Sequence, residues 1–194
     1  LKFKNRKIWI ASSTHSDEEI FCAKTHMQLK KKVKNLLTII IPRHVHRAKE
    51  IKSELESLKL NVVKHSSNNK NLKNVDIYIV DTFGETKKFH KIGCSVFIGG
   101  SIINRGGQNP LEAVRYNCNI LHGPNVFNFN EIYKFLNKQK VSKKVINLNQ
   151  TTNILYKLLN SKKSQKNIKD KINIIGQKIL KKNIDEIRLV LNKV

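Results

Sequence analysis

Apolar runs of strand length recur along the chain, separated by stretches with helical spacing. Positions 7–12 (KIWIAS), 36–41 (LLTIII), 76–80 (DIYIV), 94–98 (CSVFI) and 119–122 (NILH) read as buried strands, and Val62 with Val63 marks another. Between them, Ile20, Ala23 and Met27, and then Ile51, Leu55 and Leu58, fall at helical intervals. Shorter helices are predicted from Gly84 to about position 91, from Glu112 to about 117 and over 127–136, with a last strand over 145–148. From 151 onward the pattern is helical, with Ile168, Ile172, Ile175 and Ile179 on one face and Asn183-x-x-Glu186 as a capping box. The Lys/Ser/Asn-rich positions 160–169 read as a join.

Strands that alternate with helices predict an α/β fold with a largely parallel sheet. Ligands of such sheets lie beyond the carboxyl ends of the strands. The strand-end segments here are 12–16, 42–44, 81–85, 99–109 and 122–125, and they hold most of the unusual polar and glycine residues. One shared site is expected there.

The segment from Phe97 to Glu112 condenses that expectation. A buried run breaks into Gly99-Gly100 and Gly106-Gly107 and ends on a helix-start signature. Asn109 suits the N-cap, Pro110 the first helical position, and Glu112 a carboxylate reaching back to the cap. Strand, glycine loop and bare helix end together predict an anion-receptive corner. The competing reading is an ordinary strand-to-helix connection.

Charge changes the picture next. The 194 residues carry a formal net charge of +24, with lysines spread along the chain and few arginines. Nucleic acid, an anionic membrane surface and a compositional habit of the source genome all account for it. The absence of basic stretches interleaved with aromatics weakens the first. No apolar run approaches the roughly 20 residues that cross a bilayer. Cys22, Cys94 and Cys118 lie far apart, without metal-ligand spacing, and read as reduced thiols. The chain opens on Leu1, as a piece of a longer protein would.

No Ser-His-Asp set, P-loop, zinc spacing or dinucleotide fingerprint stands out. His15, His44 and His46 are candidate acid–base groups, or ordinary loop histidines. Arg43, just after a strand, suits a bidentate phosphate or carboxylate clamp, or is a surface arginine. Asp81 and Glu85 read as caps of the following helix, and Glu112 as a cap or an acceptor for two ribose hydroxyls.

Several of these segments together resemble a known family. Trp9-Ile10-Ala11-Ser12-Ser13-Thr14-His15 with Glu18-Glu19, Pro42-Arg43-His44, Asp81-Thr82-Phe83-Gly84-Glu85, Gly99-Gly100-Ser101, Arg105 to Glu112, and Gly123-Pro124 with Phe127-Asn128-Phe129 are similar to the 3-deoxy-D-manno-octulosonic acid (Kdo) transferases of lipopolysaccharide synthesis. The resemblance is collinear from about Lys7 to Phe135. It implies the C-terminal, donor-binding half of a two-domain GT-B glycosyltransferase: a Rossmann-like nucleotide-sugar domain over 1–160, with helices over 161–194 that pack on it or cross to a missing N-terminal domain. It implies inverting transfer of Kdo from CMP-Kdo to a lipid A precursor at the cytoplasmic face of the bacterial inner membrane, with no cofactor, no obligatory metal and no nucleic acid. CMP contacts would fall on Pro42, Arg43, Phe83, Gly84, Glu85, Asn109, Pro110, Leu111 and Glu112, with His15 and Arg105 near the donor sugar. The catalytic base and most of the acceptor site would lie in the missing domain, so no catalytic residue is expected in this chain. Asp17 departs from the family's Thr-His-x-Gly-Glu-Glu pattern, and Phe83 replaces a more usual Met. Two alternatives stay open: a domain for another nucleotide sugar, and a non-catalytic basic module that binds nucleic acid or anionic lipid.

Overall fold

Side chains on a strand alternate between the two faces of its sheet, so a strand that is apolar at every position needs a cover on both sides. The structure, a computed structural model, describes residues 3, 5–67 and 72–161, and beyond them 172–173, 176–177, 181, 184–185 and 188. Seven parallel strands form one sheet in the order β3-β4-β2-β1-β5-β6-β7. They are β1 (Lys7–Thr14), β2 (Leu36–Pro42), β3 (Val62–Lys64), β4 (Ile77–Ile79), β5 (Ser95–Ile98), β6 (Asn119–His122) and β7 (Ser142–Lys144). Ile8, Ile10, Val96 and Ile98 meet Phe89, Val114, Tyr133 and Leu136 from α3 (Thr86–Ile92), α4 (Leu111–Arg115) and α5 (Asn130–Lys138). Trp9, Ala11 and Phe97 meet Cys22, Leu29, Ile51, Leu55 and Leu155 on the other side, from α1 (Glu18–Lys30), α2 (Ala48–Ser57) and α6 (Leu148–Asn160). Each such fully buried aliphatic side chain is worth about 1.5–3 kcal/mol relative to exposure.

The amino edge of the sheet is stapled by polar side chains. The Arg6 guanidinium donates to the carbonyls of Leu36 at 2.5 Å, Val75 at 2.6 Å and Leu72 at 2.8 Å. Fully buried His26 lies 2.8 Å from Thr38 Oγ1 and 3.4 Å from Asp76, which also takes the Lys30 ammonium and the Asn61 N–H. Burial alone would raise the Asp76 carboxyl, but these donors hold it well below the usual carboxylate range.

Some boundaries differ from the sequence reading. The last strand is Ser142–Lys144, a polar edge strand, and Val145 is buried just beyond it while Leu148 already opens α6. The 127–136 helix begins as a 3₁₀ turn over Phe127–Phe129. Met27 is partly exposed rather than on the buried face of α1. Ile172 is buried against the first apolar layer, whereas Ile168, Ile175, Ile179, Asn183 and Glu186 lie outside the described residues.

The topology places the site. β1 and β5 are neighbours, but α1 leaves β1 on one face of the sheet and α4 leaves β5 on the other, so their connections diverge, which is where a sheet of this kind leaves a crevice at its carboxyl ends. Among the described residues no helix is long and apolar enough to cross a membrane.

Candidate functional site

The β1–α1 corner and the turn after β5 form the two walls of this crevice. They touch directly. Gly99 donates its N–H to Ser12 O at 2.9 Å, and a Cβ at Gly99 would lie 2.3 Å from Ser13 O. Gly100 turns the chain at φ +67°, a conformation that costs a residue with a Cβ. Its N–H then points at Glu18. The Glu18 carboxylate accepts from Gly100 N at 2.7 Å, Ser101 N at 2.9 Å, Ile102 N at 3.0 Å and His15 N at 3.1 Å.

This arrangement corrects the open anion corner expected from the glycine pattern. The amides after β5 are satisfied by the chain's own carboxylate. Gly99 and Gly106 admit neighbouring protein atoms, and a Cβ on Gly106 would meet the Asn128 side chain at 2.3 Å. The helix end is not bare either, because Asn109 Oδ1 accepts the Leu111 N–H at 3.0 Å. The N-cap position nevertheless falls on Pro110 rather than Asn109, α4 runs only from Leu111 to Arg115, and no reach-back by the half-buried Glu112 carboxylate is present among the described residues.

Positive charge gathers at the mouth of the crevice. Pro42 ends β2, buried, and Arg43 follows it, exposed, with its N–H bonded to Thr14 O at 2.9 Å. The rings of His15 and His44 lie 5.9 Å apart, and those of His44 and His46 5.6 Å apart. Burial lowers the His15 pKa, and the neighbouring His44, Arg105, Arg43 and Arg47 lower it further. His15 thus faces Arg43, His44 and Arg47 from the connection after β2 and Arg105 from the connection after β5. Gln108 Nε2 lies 3.4 Å from His15 Nε2, and its carbonyl accepts the Tyr133 hydroxyl at 2.9 Å. Tyr133 in turn packs against buried His122, with ring centroids 4.4 Å apart and the rings inclined at 49°.

The remaining predicted residues line the adjoining connections. Phe83 is 83% exposed on the β4–α3 connection, Gly84 follows at φ +79°, and Glu85 precedes α3 in an ion pair with Lys88 at 2.9 Å. Asp81 does not cap that helix. Its carboxylate accepts the Ser66 N–H at 2.8 Å and the Ser66 hydroxyl at 2.5 Å. α3 packs beside α4, which brings Glu85 and the run Asn109, Pro110, Leu111, Glu112 to the same side of the sheet. Among the described residues, no hydrogen bond or ion pair joins Phe83, Glu85 or Glu112 to the group around His15 and Arg43. Arg105 is exposed on the loop between Gly100 and Asn109.

Glu18 and Glu19, which the sequence offered only as part of the resemblance and without a role, also belong to this corner. Glu19 is 1% exposed and pairs at 3.2 Å with Arg47, which also reaches Ser16 Oγ at 3.0 Å and Glu50 at 3.1 Å. Burial raises the Glu19 carboxyl to about 7, against the pull of Arg47. Adjacent acids at a helix start look like a solvated first turn, and only their burial reveals otherwise. The available signal was the spacing His15-x-x-Glu18, which lets a carboxylate reach back over the turn.

No protein-family model matches the chain. It is 29% identical to the 3-deoxy-D-manno-octulosonic acid transferase of Haemophilus influenzae, covering 97% of this chain and 44% of that protein. To the transferase of the same name from Rickettsia bellii it is 33% identical, over 84% of this chain and 38% of that protein. The chain thus spans less than half the length of these curated relatives. The crystal structure of the C-terminal CMP-Kdo binding domain of WaaA from Acinetobacter baumannii superimposes with a TM-score of 0.76 at 25% identity, covering 81% of this chain and 82% of that one. Collinear sequence and a shared fold point the same way: the chain is similar to the 3-deoxy-D-manno-octulosonic acid transferases and aligns with their C-terminal CMP-Kdo binding domain.

Proposed function

We propose that this chain is the donor-binding part of a glycosyltransferase that moves Kdo from CMP-Kdo onto a lipid A precursor. The observation that carries the reading is the convergence of Arg43, His15, His44 and Arg105 at the switch point, in a chain related to the Kdo transferases. An anionic nucleotide donor matches that charge. Arg43 holds the phosphate and stabilises it as the leaving group, without an obligatory metal or cofactor. Glu112 accepts the ribose hydroxyls, with Asn109, Pro110 and Leu111 forming the wall beside it. Phe83, Gly84 and Glu85 border the cytosine, where an exposed aromatic ring offers a stacking face. Pro42 shapes the Arg43 turn, and His15 and Arg105 face the acidic sugar. The base that deprotonates the acceptor hydroxyl belongs to the part of the transferase that this chain does not span. The whole protein then works at the cytoplasmic face of the inner membrane, where a net charge of +24 favours an anionic surface.

Calorimetry with CMP, UMP and a short oligonucleotide tests this reading. CMP binds more tightly than UMP, and Arg43→Ala and Glu112→Ala each weaken CMP binding by roughly tenfold or more, the loss of one charge-assisted contact. Absence of CMP binding, or binding indifferent to both substitutions, would overturn it. Oligonucleotide binding with a steep salt dependence would favour a basic nucleic-acid module instead.

A further inference from the structure

Glu18 is 0% exposed, yet among the described residues no lysine, arginine or histidine pairs with it. Among those residues, all the hydrogen bonds to its carboxylate come from backbone N–H groups. Three successive amides, of Gly100, Ser101 and Ile102, converge on the carboxylate at 2.7–3.0 Å, and the His15 amide adds a fourth bond at 3.1 Å. Successive amides in a turn that contains a positive φ form a concavity suited to an anion. In this chain a protein carboxylate fills it. The turn is also braced from behind: Ser101 Oγ donates to Ile98 O at 2.5 Å and accepts the Gly123 N–H at 2.8 Å.

We propose that Glu18 is the positioning residue of the switch-point site, an internal anion that occupies the amides after β5 and locks the β1–α1 corner to the Gly100–Gln108 loop. Two consequences follow from the geometry. First, His15 is held at one end of the same carboxylate that anchors the loop carrying Arg105 and Gln108, so these side chains keep a fixed relation across the crevice. Second, a ligand phosphate is excluded from the amides and directed to the cationic side chains at the mouth, of which Arg43 is one. The second consequence rests on the donor-binding reading, and the first does not.

The test compares the chain with Glu18→Gln and Glu18→Ala. Backbone amide exchange by NMR reads the lock at Gly100, Ser101, Ile102 and His15, and calorimetry reads CMP affinity. Glu18→Gln keeps the volume but turns an amide NH₂ toward N–H donors, so protection falls at those four amides while the β-sheet amides stay protected. CMP affinity falls by roughly tenfold in parallel. In Glu18→Ala both losses are deeper, and added formate, which fits the space the carboxylate leaves, restores them. A merely structural residue would lose global stability without selective loss at these amides and without rescue by formate. Unchanged protection or unchanged CMP affinity in folded Glu18→Gln overturns the proposal, as does failure of formate to restore protection in Glu18→Ala. If Glu18→Ala does not fold, Glu18→Gln alone decides. Formate-dependent amide protection in a chain that binds no CMP supports the lock and overturns the donor-site reading instead.

Discussion

The backbone of Gly99 lies against the carbonyl of Ser13 so closely that an added methyl would stand 2.3 Å from the oxygen. This contact joins the carboxyl ends of β1 and β5, the two strands whose loops make the site. Real Cβ atoms do not approach backbone oxygen so closely, and neither partner is the free end of a flexible side chain. Gly99→Ala therefore forces the two strand ends apart. It is expected to destabilise the fold by about 2 kcal/mol or more, in the range of overpacked cores. Denaturant unfolding at a fixed pH measures the loss, and a cost below the scatter of surface substitutions would contradict the contact.

Asp17 precedes α1 at φ +71°, exposed and without a side-chain bond to the helix amides. It occupies a left-handed conformation that glycine adopts without a Cβ penalty. Asp17→Gly removes that strain but adds unfolded-state entropy, so a net stabilisation of about 0.5–1 kcal/mol is expected. A rise of a few degrees in Tm by calorimetry would record it. A fall in Tm would mean that the acidic side chain contributes more at the helix start than the strain costs.

His90 is buried on α3 with neither ring nitrogen hydrogen-bonded among the described residues, and desolvation pushes its pKa down from 6.5 to about 4. Between those values the folded state binds fewer protons than the unfolded state. The contribution to stability is complete above the unfolded pKa and drains away as the pH falls through the window, at up to about 1.4 kcal/mol per pH unit. Glu19 acts oppositely. Its carboxyl is raised from 4.5 to about 7, so its contribution grows as the pH falls through that range. The difference between wild type and His90→Leu isolates the histidine. His90→Leu should be more stable by about 1 kcal/mol at neutral pH, the cost of an unsatisfied buried polar group, and the gain should widen toward pH 4. Urea unfolding across that range is the measurement, and a gain that stays flat would refute the assignment.

His15 titrates below its ordinary value because burial and the surrounding cations disfavour its protonated form. An anion bound among those cations reverses part of that effect. CMP should raise the His15 pKa, seen in the pH titration of its ring protons by NMR. By linkage, the part of CMP affinity that depends on His15 then grows as the pH falls through that pKa. His15→Gln removes that part. A His15 titration indifferent to CMP would place the phosphate away from this cluster.

The strands were legible because buried parallel strands must be apolar on both faces, and runs such as 36–41 and 94–98 have few other uses. The rule that ligands lie beyond strand carboxyl ends then selected the segments holding His15, Arg43 and Arg105, which the fold brings around one crevice. β7 escaped because an edge strand pairs on one side only and can be polar. Ser142–Lys144 carries no apolar signal, while Val145 is buried without belonging to the strand. Apolar pattern reports burial, not pairing.

Glu18 marks the deeper division. An acid in the first turn of a helix looks the same in sequence whether water or protein surrounds it, and a glycine pair looks the same whether a ligand or another strand comes close. By itself the sequence determined six of the seven strands, that strands would alternate with helices, and at which edge of the sheet to look for a site, because these follow from local periodicity and from a general property of parallel sheets. Only the tertiary structure decided that the carboxylate of Glu18 reaches the amides of Gly100, Ser101 and Ile102, 82 to 84 positions away, and so occupies donors that the glycine pattern had left open. Hydrogen bonds over that separation depend on how β1 and β5 are placed side by side, which no local pattern encodes.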